Sequence, residues 1–137
     1  MIHERGTIRN LLCSHWIYWI TEVVKKVILP LWNTYYFFTT YANIDNFEPK
    51  GLPENLDNKL DKWLLSELNT LTREVSQGFD EYKLARATKP IVKFMDNLTN
   101  WYIRRSRKRF WKTENDGDKL QAYETLNHVL VETTKVL

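Results

Sequence analysis

The residues of this chain best suited to chemistry lie in one run, Asn100-Trp101-Tyr102-Ile103-Arg104-Arg105-Ser106-Arg107-Lys108-Arg109-Phe110-Trp111-Lys112. Six Lys and Arg occupy the nine positions from Arg104 to Lys112, and aromatic side chains flank them. The chemistry such a run can do is recognition of a polyanion: dense positive charge gains free energy by displacing counterions from phosphates, and indoles offer faces on which unpaired bases stack. Of the twenty Lys and Arg in the chain, the fourteen outside the run face seventeen Asp and Glu, so a segment of charge +6 sits on a body of charge −3. The same pattern also fits a basic helix end that complements the helix dipole, or long cationic stems laid over apolar surface at an interface. Composition alone leaves both readings open.

Other chemistries find little support. His3, His15 and His128 lack the paired spacing that metal ligation needs, and Cys13 with His15 supplies two ligands at best. Four glycines spread over 137 residues cannot form a phosphate-cradling loop. The Asp and Glu residues are dispersed and form no acid and base pair, so an enzyme acting alone is not expected. A single cysteine excludes an intrachain disulfide. The richest apolar stretch, Leu11 to Leu31, is interrupted by His15, Glu22, Lys25 and Lys26, which argues against a membrane span. The expectation is a soluble, cytoplasmic chain.

The elements that must carry the basic run are helical. Only four Gly and four Pro occur, and apolar residues recur at helical spacing. The first predicted helix runs from about Thr21 to Ala42, with Val24, Val27, Ile28, Leu31, Tyr35, Phe38 and Ala42 on one stripe and Pro30 as a kink. Asn43 to Leu56 is dense in turn formers and reads as a surface loop. The second helix runs from about Asn58 to Gln77, with Asp57 as N-cap, Leu60, Leu64, Leu68, Leu71 and Val75 inward, and Gly78 as its stop. The third spans about Tyr82 to Phe110, with Ile91, Phe94, Met95, Leu98 and Tyr102 inward and Pro90 as an early kink. The fourth runs from about Asp118 to the last residue, with Tyr123, Leu126, Leu130 and Leu137 on one side. Short links make this an all-α, antiparallel bundle of about four helices. On the third helix Trp101, Arg104, Lys108 and Trp111 follow one another at three and four residues, one face over from Leu98 and Tyr102.

Read in order, the segments Leu29-Pro30-Leu31-Trp32-Asn33-Thr34-Tyr35-Tyr36-Phe37-Phe38, Thr40-Tyr41-Ala42-Asn43-Ile44-Asp45, Asp61-Lys62-Trp63-Leu64-Leu65-Ser66 and Asn100-Trp101-Tyr102-Ile103-Arg104-Arg105-Ser106-Arg107 are similar to the isoleucyl-tRNA synthetase family. They resemble the helical anticodon-binding domain that follows the catalytic domain in class I synthetases for branched aliphatic amino acids. The resemblance covers about Val23 to Leu137. It implies a domain over residues 21–137, cut short at its C-terminal end, preceded by residues 1–20 that do not match and that extend the first helix or stand apart from it. The family's nucleotide-binding signatures, His-Ile-Gly-His and Lys-Met-Ser-Lys-Ser, are absent. The resemblance therefore implies a fragment without a catalytic site and without a cofactor, its parent using ATP and Mg in a catalytic domain that is not here.

The implied partners are isoleucine tRNA and the catalytic and C-terminal domains of the parent chain, with no DNA and no membrane. The implied role is docking of the anticodon stem-loop, with Arg104, Arg107, Lys108 and Arg109 on phosphates. Trp101 and Trp111 are candidates either for base stacking or for core and interdomain packing. Arg105 either joins the phosphate contacts or pairs with a carboxylate of a neighbouring element. Tyr41, Asn43 and Asp45 are expected to end the first helix and shape the loop after it. The competing reading is a helical scaffold or protein-interaction module whose basic strip meets an acidic partner.

Overall fold

A computed structural model describes residues 17–52, 55–111 and 117–137, and among them every regular element is a helix. Helix α1 covers residues 17–44 and includes a π-helical segment at Val24–Ile28 before the regular Leu29–Ile44. Helix α2 is Lys59–Asp80. Helix α3 comprises Leu84–Asp96, a second π segment at Asn97–Ile103, and Arg104–Trp111. Helix α4 is Gly117–Val136. The α2–α3 hairpin forms the centre of the bundle, α4 packs on both of its helices, and α1 lies against α3 and α4.

Each helix end has a local cause. Asn58, rather than Asp57, is the N-cap of α2, its Oδ1 accepting the Leu60 N–H at 2.9 Å. Gly78 does not stop α2. The helix continues to Asp80 and closes at Tyr82, whose φ of 54° places it in the left-handed region. The Lys83 N–H then bonds the Gly78 carbonyl at 2.8 Å and the Tyr82 N–H bonds the Phe79 carbonyl at 2.9 Å, a Schellman closure. Gly78 serves packing instead: a Cβ there would lie 2.7–2.8 Å from the backbone N, the Cα and the Cβ of Ala87. Helix α1 closes in the same way through Asn46, with φ 51° and the Phe47 N–H on the Ala42 carbonyl at 2.8 Å.

The π segment of α1 traces to Pro30. Proline lacks the N–H that would bond the Lys26 carbonyl, and its ring clashes with that carbonyl, so the preceding turn widens and Leu29 N–H reaches back to Val24. The extra residue shifts the helix phase. Val24, Ile28 and Tyr35, expected inward, are exposed, while Val27, Thr34, Phe38 and Ala42 are buried. In α3 the expected Phe94, Met95, Leu98 and Tyr102 are buried, with Ile91 packed at the margin. In α4 Tyr123, Leu126 and Leu130 are buried as expected, joined by Ala122 and Val129, whereas Leu137 is exposed.

Residues 45–51, after α1, are tied down rather than free. The buried Glu124 carboxylate accepts the N–H groups of Lys50 at 2.7 Å and Gly51 at 3.2 Å. Phe47 stacks on Tyr123 with ring centroids 5.0 Å apart. Asp45 caps α1, accepts the Tyr123 hydroxyl and pairs with the buried Lys119 ammonium at 2.7 Å. The structural role expected of Asp45 is thus the one observed. Burial alone would raise its carboxyl, but the hydrogen bonds from Lys119 and Tyr123 and the charge of Lys119 outweigh that and hold it below the ordinary carboxylate value.

Candidate nucleic-acid interface

The outer face of α3 presents Trp101, Arg104, Arg105, Arg107, Lys108 and Trp111 to solvent. Its inner face buries Tyr102, Ile103, Ser106, Arg109 and Phe110. Phe110 fixes this phase: its ring meets Phe37 at 5.2 Å and Tyr123 at 5.1 Å, both edge to face, in an aromatic core that joins α3 to α1 and α4. With Phe110 pinned inward, Arg104, Arg105 and Lys108, on the far side of the helix, point out.

Among the described residues Arg104, Arg107 and Lys108 have no carboxylate within ion-pair distance and no intramolecular hydrogen bond from their side chains, so their charge faces solvent uncompensated. Trp101 is 49% exposed and Trp111 53% exposed, which rules out bundle-core packing for both indoles within these residues. Among the described residues Arg105 pairs with no carboxylate of a neighbouring helix. Its guanidinium lies over the Trp101 ring, 4.3 Å from the centroid, a cation–π contact that steadies an exposed indole. The sixth cation of the run, Lys112, lies outside the described residues.

Arg109 is the correction. Expected to contact phosphate with its neighbours, it is buried, and its two terminal nitrogens engage the two carboxylate oxygens of Asp61 at 2.7 and 2.8 Å. Asp61 is 0% exposed and also accepts the Tyr102 hydroxyl at 2.8 Å. The second terminal nitrogen of Arg109 reaches the carbonyl of Asp118 at 2.9 Å and its carboxylate at 2.8 Å. One guanidinium thereby joins α2, α3 and the start of α4. Burial alone would lower its pKa, but the bonds to Asp61 and Asp118 outweigh that and raise it, so the charge is permanent. Burial first, then the Asp61 charge, pushes the Tyr102 phenol well above its ordinary value.

A signal for this pair does exist in the sequence. Asp61 falls on the inward stripe of α2 three residues before Leu64, and a carboxylate on a core stripe requires a buried cation. Arg109 lies seven residues after the buried Tyr102, on the same face of α3.

Among the described residues no group of three His, Cys, Asp or Glu is arranged to hold a metal ion, and no helix is long and apolar enough to cross a membrane.

Residues 61–137 match the family model described as the anticodon-binding domain of tRNA ligase. Among curated proteins, isoleucine–tRNA ligase of Protochlamydia amoebophila is 50% identical over 114 residues, 83% of this chain and 11% of that protein. The enzyme of the same name from Dehalococcoides mccartyi strain CBDB1 is 51% identical over 120 residues, 86% of this chain and 12% of that protein. That of Treponema denticola is 47% identical over 124 residues, 81% of this chain and 11% of that protein. The chain thus spans about a ninth of the length of these relatives. With the family match covering the Asp61–Arg109 clasp, the basic face of α3 and all of α4, the chain belongs to the anticodon-binding domain family of tRNA ligases.

Proposed function

We propose that this chain is the tRNA-docking module of an isoleucine–tRNA ligase and that it binds the anticodon stem-loop of isoleucine tRNA, in the cytoplasm, through the outer face of α3. The observation that carries the reading is the set of unpaired cations Arg104, Arg107 and Lys108 between two exposed indoles, on a helix held rigid by Phe110 and the Asp61–Arg109 pair. Arg104, Arg107 and Lys108 contact phosphates, which sets position and supplies salt-dependent affinity. Trp101, steadied by Arg105, and Trp111 offer faces to unpaired bases of the loop. The functional domain runs over residues 21–137, and attachment of isoleucine with ATP and Mg belongs to other parts of a longer enzyme.

A packing role accompanies the RNA-binding one. Ile17, Ile20, Val24, Ile28, Trp32 and Tyr36 are all exposed on α1, more apolar surface than a free helix face ordinarily leaves in water. This supports contact with the catalytic or C-terminal domain of the parent chain.

Equilibrium binding to isoleucine tRNA, to a noncognate tRNA and to isoleucine tRNA with altered anticodon bases, at two salt concentrations, tests the reading. Cognate preference lost with the anticodon changes is the expected result. The combined variant R104A/R107A/K108A should flatten the dependence of log K on log salt by about 2 to 3, since each phosphate contact contributes about 0.7 to 0.9. Equal binding to all three RNAs, or an unchanged slope in the variant, would overturn it.

A further inference from the structure

Helix α1 leaves a line of apolar side chains in water. Ile17, Ile20, Val24, Ile28 and Trp32 follow one another at steps of three and four residues and are 38–61% exposed. A four-residue step on a regular helix overshoots a full turn by about 40°, so a chain of such steps winds off its face. In the π segment Val24–Ile28 the turn is wider and the same step falls short of a full turn, which returns Ile28 to the line set by Ile20 and Val24. Glu22 and Lys26 lie about half a turn away and pair with each other. The helix therefore has an apolar face and a polar back, and no charge stands on the face itself.

The spacing of this face reads alike in either direction. Ile20 and Ile28 stand four residues before and after Val24, and Ile17 and Trp32 stand seven before and eight after. At about 1.5 Å per residue the inner two lie about 6 Å from Val24 along the helix and the outer two about 11–12 Å. A second copy turned end for end, about a two-fold axis at Val24, sets each Ile20 level with the other copy's Ile28 and each Ile17 level with its Trp32. Such self-complementarity is what an interface between identical chains requires. With the flanking Val23, the exposed parts of these side chains amount to about 500–600 Å² per chain, so pairing would bury about 1,000–1,200 Å², enough for a specific though weak interface. The charge nearest the axis is the exposed Lys25, at the edge of the face, where the ammonium groups of two copies approach each other.

We infer that the apolar face of α1 is a self-association surface, at which two copies of this chain pair antiparallel with Val24 on the two-fold axis. The pairing goes beyond the RNA-binding reading and does not depend on it, since it uses none of the residues assigned to RNA. An interface of this area gives a dimer that forms at micromolar rather than nanomolar concentration. Its response to salt is opposite to that of phosphate binding. Apolar contact is not weakened by salt, and screening relieves the repulsion between the two Lys25 ammonium groups.

Sedimentation velocity on the 137-residue chain without RNA, from about 1 to about 300 µM at low and at high salt, measures the pairing. The variants V24E and V24K, each checked for native helicity by circular dichroism, locate it. The native chain should pass from monomer to dimer with a micromolar midpoint, no weaker at high salt. A residue on a two-fold axis meets itself, so each variant alone should stay monomeric, while an equimolar mixture should form mixed pairs within about tenfold of the native midpoint. R104A/R107A/K108A should pair as the native chain does, which separates a failure here from a failure of the RNA-binding reading. A native chain that stays monomeric throughout would overturn the pairing and leave the face to another domain. Dimers that persist in V24E or V24K alone, a mixture that stays monomeric, or a native dimer that salt dissolves would overturn it equally.

Discussion

Replacing Arg109 with Ala would leave the Asp61 carboxylate, 0% exposed, with the Tyr102 hydroxyl as its remaining partner among the bonds described and with no opposing charge in contact. Breaking one side of a buried pair costs about 3–5 kcal/mol, because the penalty is the desolvated charge left behind rather than the worth of the bond. Against a total stability of about 5–15 kcal/mol for a domain, that is a large fraction. For a chain of this size it corresponds to a fall in Tm of about 10–20 °C. Removing all three polar groups together should recover most of the loss. In the triple variant D61L/R109M/Y102F, apolar side chains replace the pair and no orphaned hydroxyl remains, so stability should return to within about 2 kcal/mol of the native chain. Urea and thermal unfolding followed by circular dichroism measure both. The triple variant also separates structure from recognition: it should bind RNA with the native salt slope, because Arg109 does not reach the surface. A loss below about 1 kcal/mol in R109A would refute the buried clasp. A slope reduced by about one phosphate contact in the triple variant would return Arg109 to the interface.

Two further outcomes follow from the packing. Gly78→Ala should destabilise the chain by about 1–3 kcal/mol even though alanine is the better helix former by about 1 kcal/mol, because the added Cβ meets Ala87 backbone atoms at 2.7–2.8 Å; denaturant midpoints showing a gain instead would mean that α2 and α3 separate without cost. Stability should also fall at both pH extremes. The Tyr102 and Tyr123 phenols are raised, by burial first and then by Asp61 and Asp45, so the native state keeps protons that the unfolded state loses above about pH 10, and stability present below that value is lost as pH rises. Asp45 is lowered, so its contribution is present above about pH 4 and lost as pH falls through its native value. Tm measured across the pH range, with tyrosinate absorbance on the alkaline side, checks both signs. An alkaline limb that stays flat above about pH 10 would contradict the buried hydroxyls.

The helical class, the α2 and α3 core stripes and the basic run were all legible in the residues, since each depends on spacing along a single element. Leu64, Leu68, Leu71 and Val75 announce their shared face by intervals of three and four alone. Local rules failed where a residue serves a partner distant in sequence. Gly78 looked like a stop because glycine ends helices. Its actual neighbour is Ala87 on the next helix, and an exposed Tyr82 takes the left-handed position instead. The outward turn of Val24 and Ile28 likewise needed the π segment before Pro30, which changes phase without changing composition.

The basic run divides along the same line. Its sequence determined that six cations and two indoles fall within residues 101–112, hence that a strong local positive field exists, because charge and order are fixed by the chain itself. Which cations remain free was decided by tertiary structure. Arg109 faces inward because Phe110 is locked among Phe37 and Tyr123 and because Asp61, 48 residues earlier, waits on the core stripe of another helix. A groove lined by Asn33 of α1 and Asn100 of α3 could not be read from either helix alone, since its two walls lie far apart in sequence and meet only when the bundle packs. Composition sets the charge a helix carries; only packing against other helices decides which of those charges keeps its water and which gives it up to a buried partner.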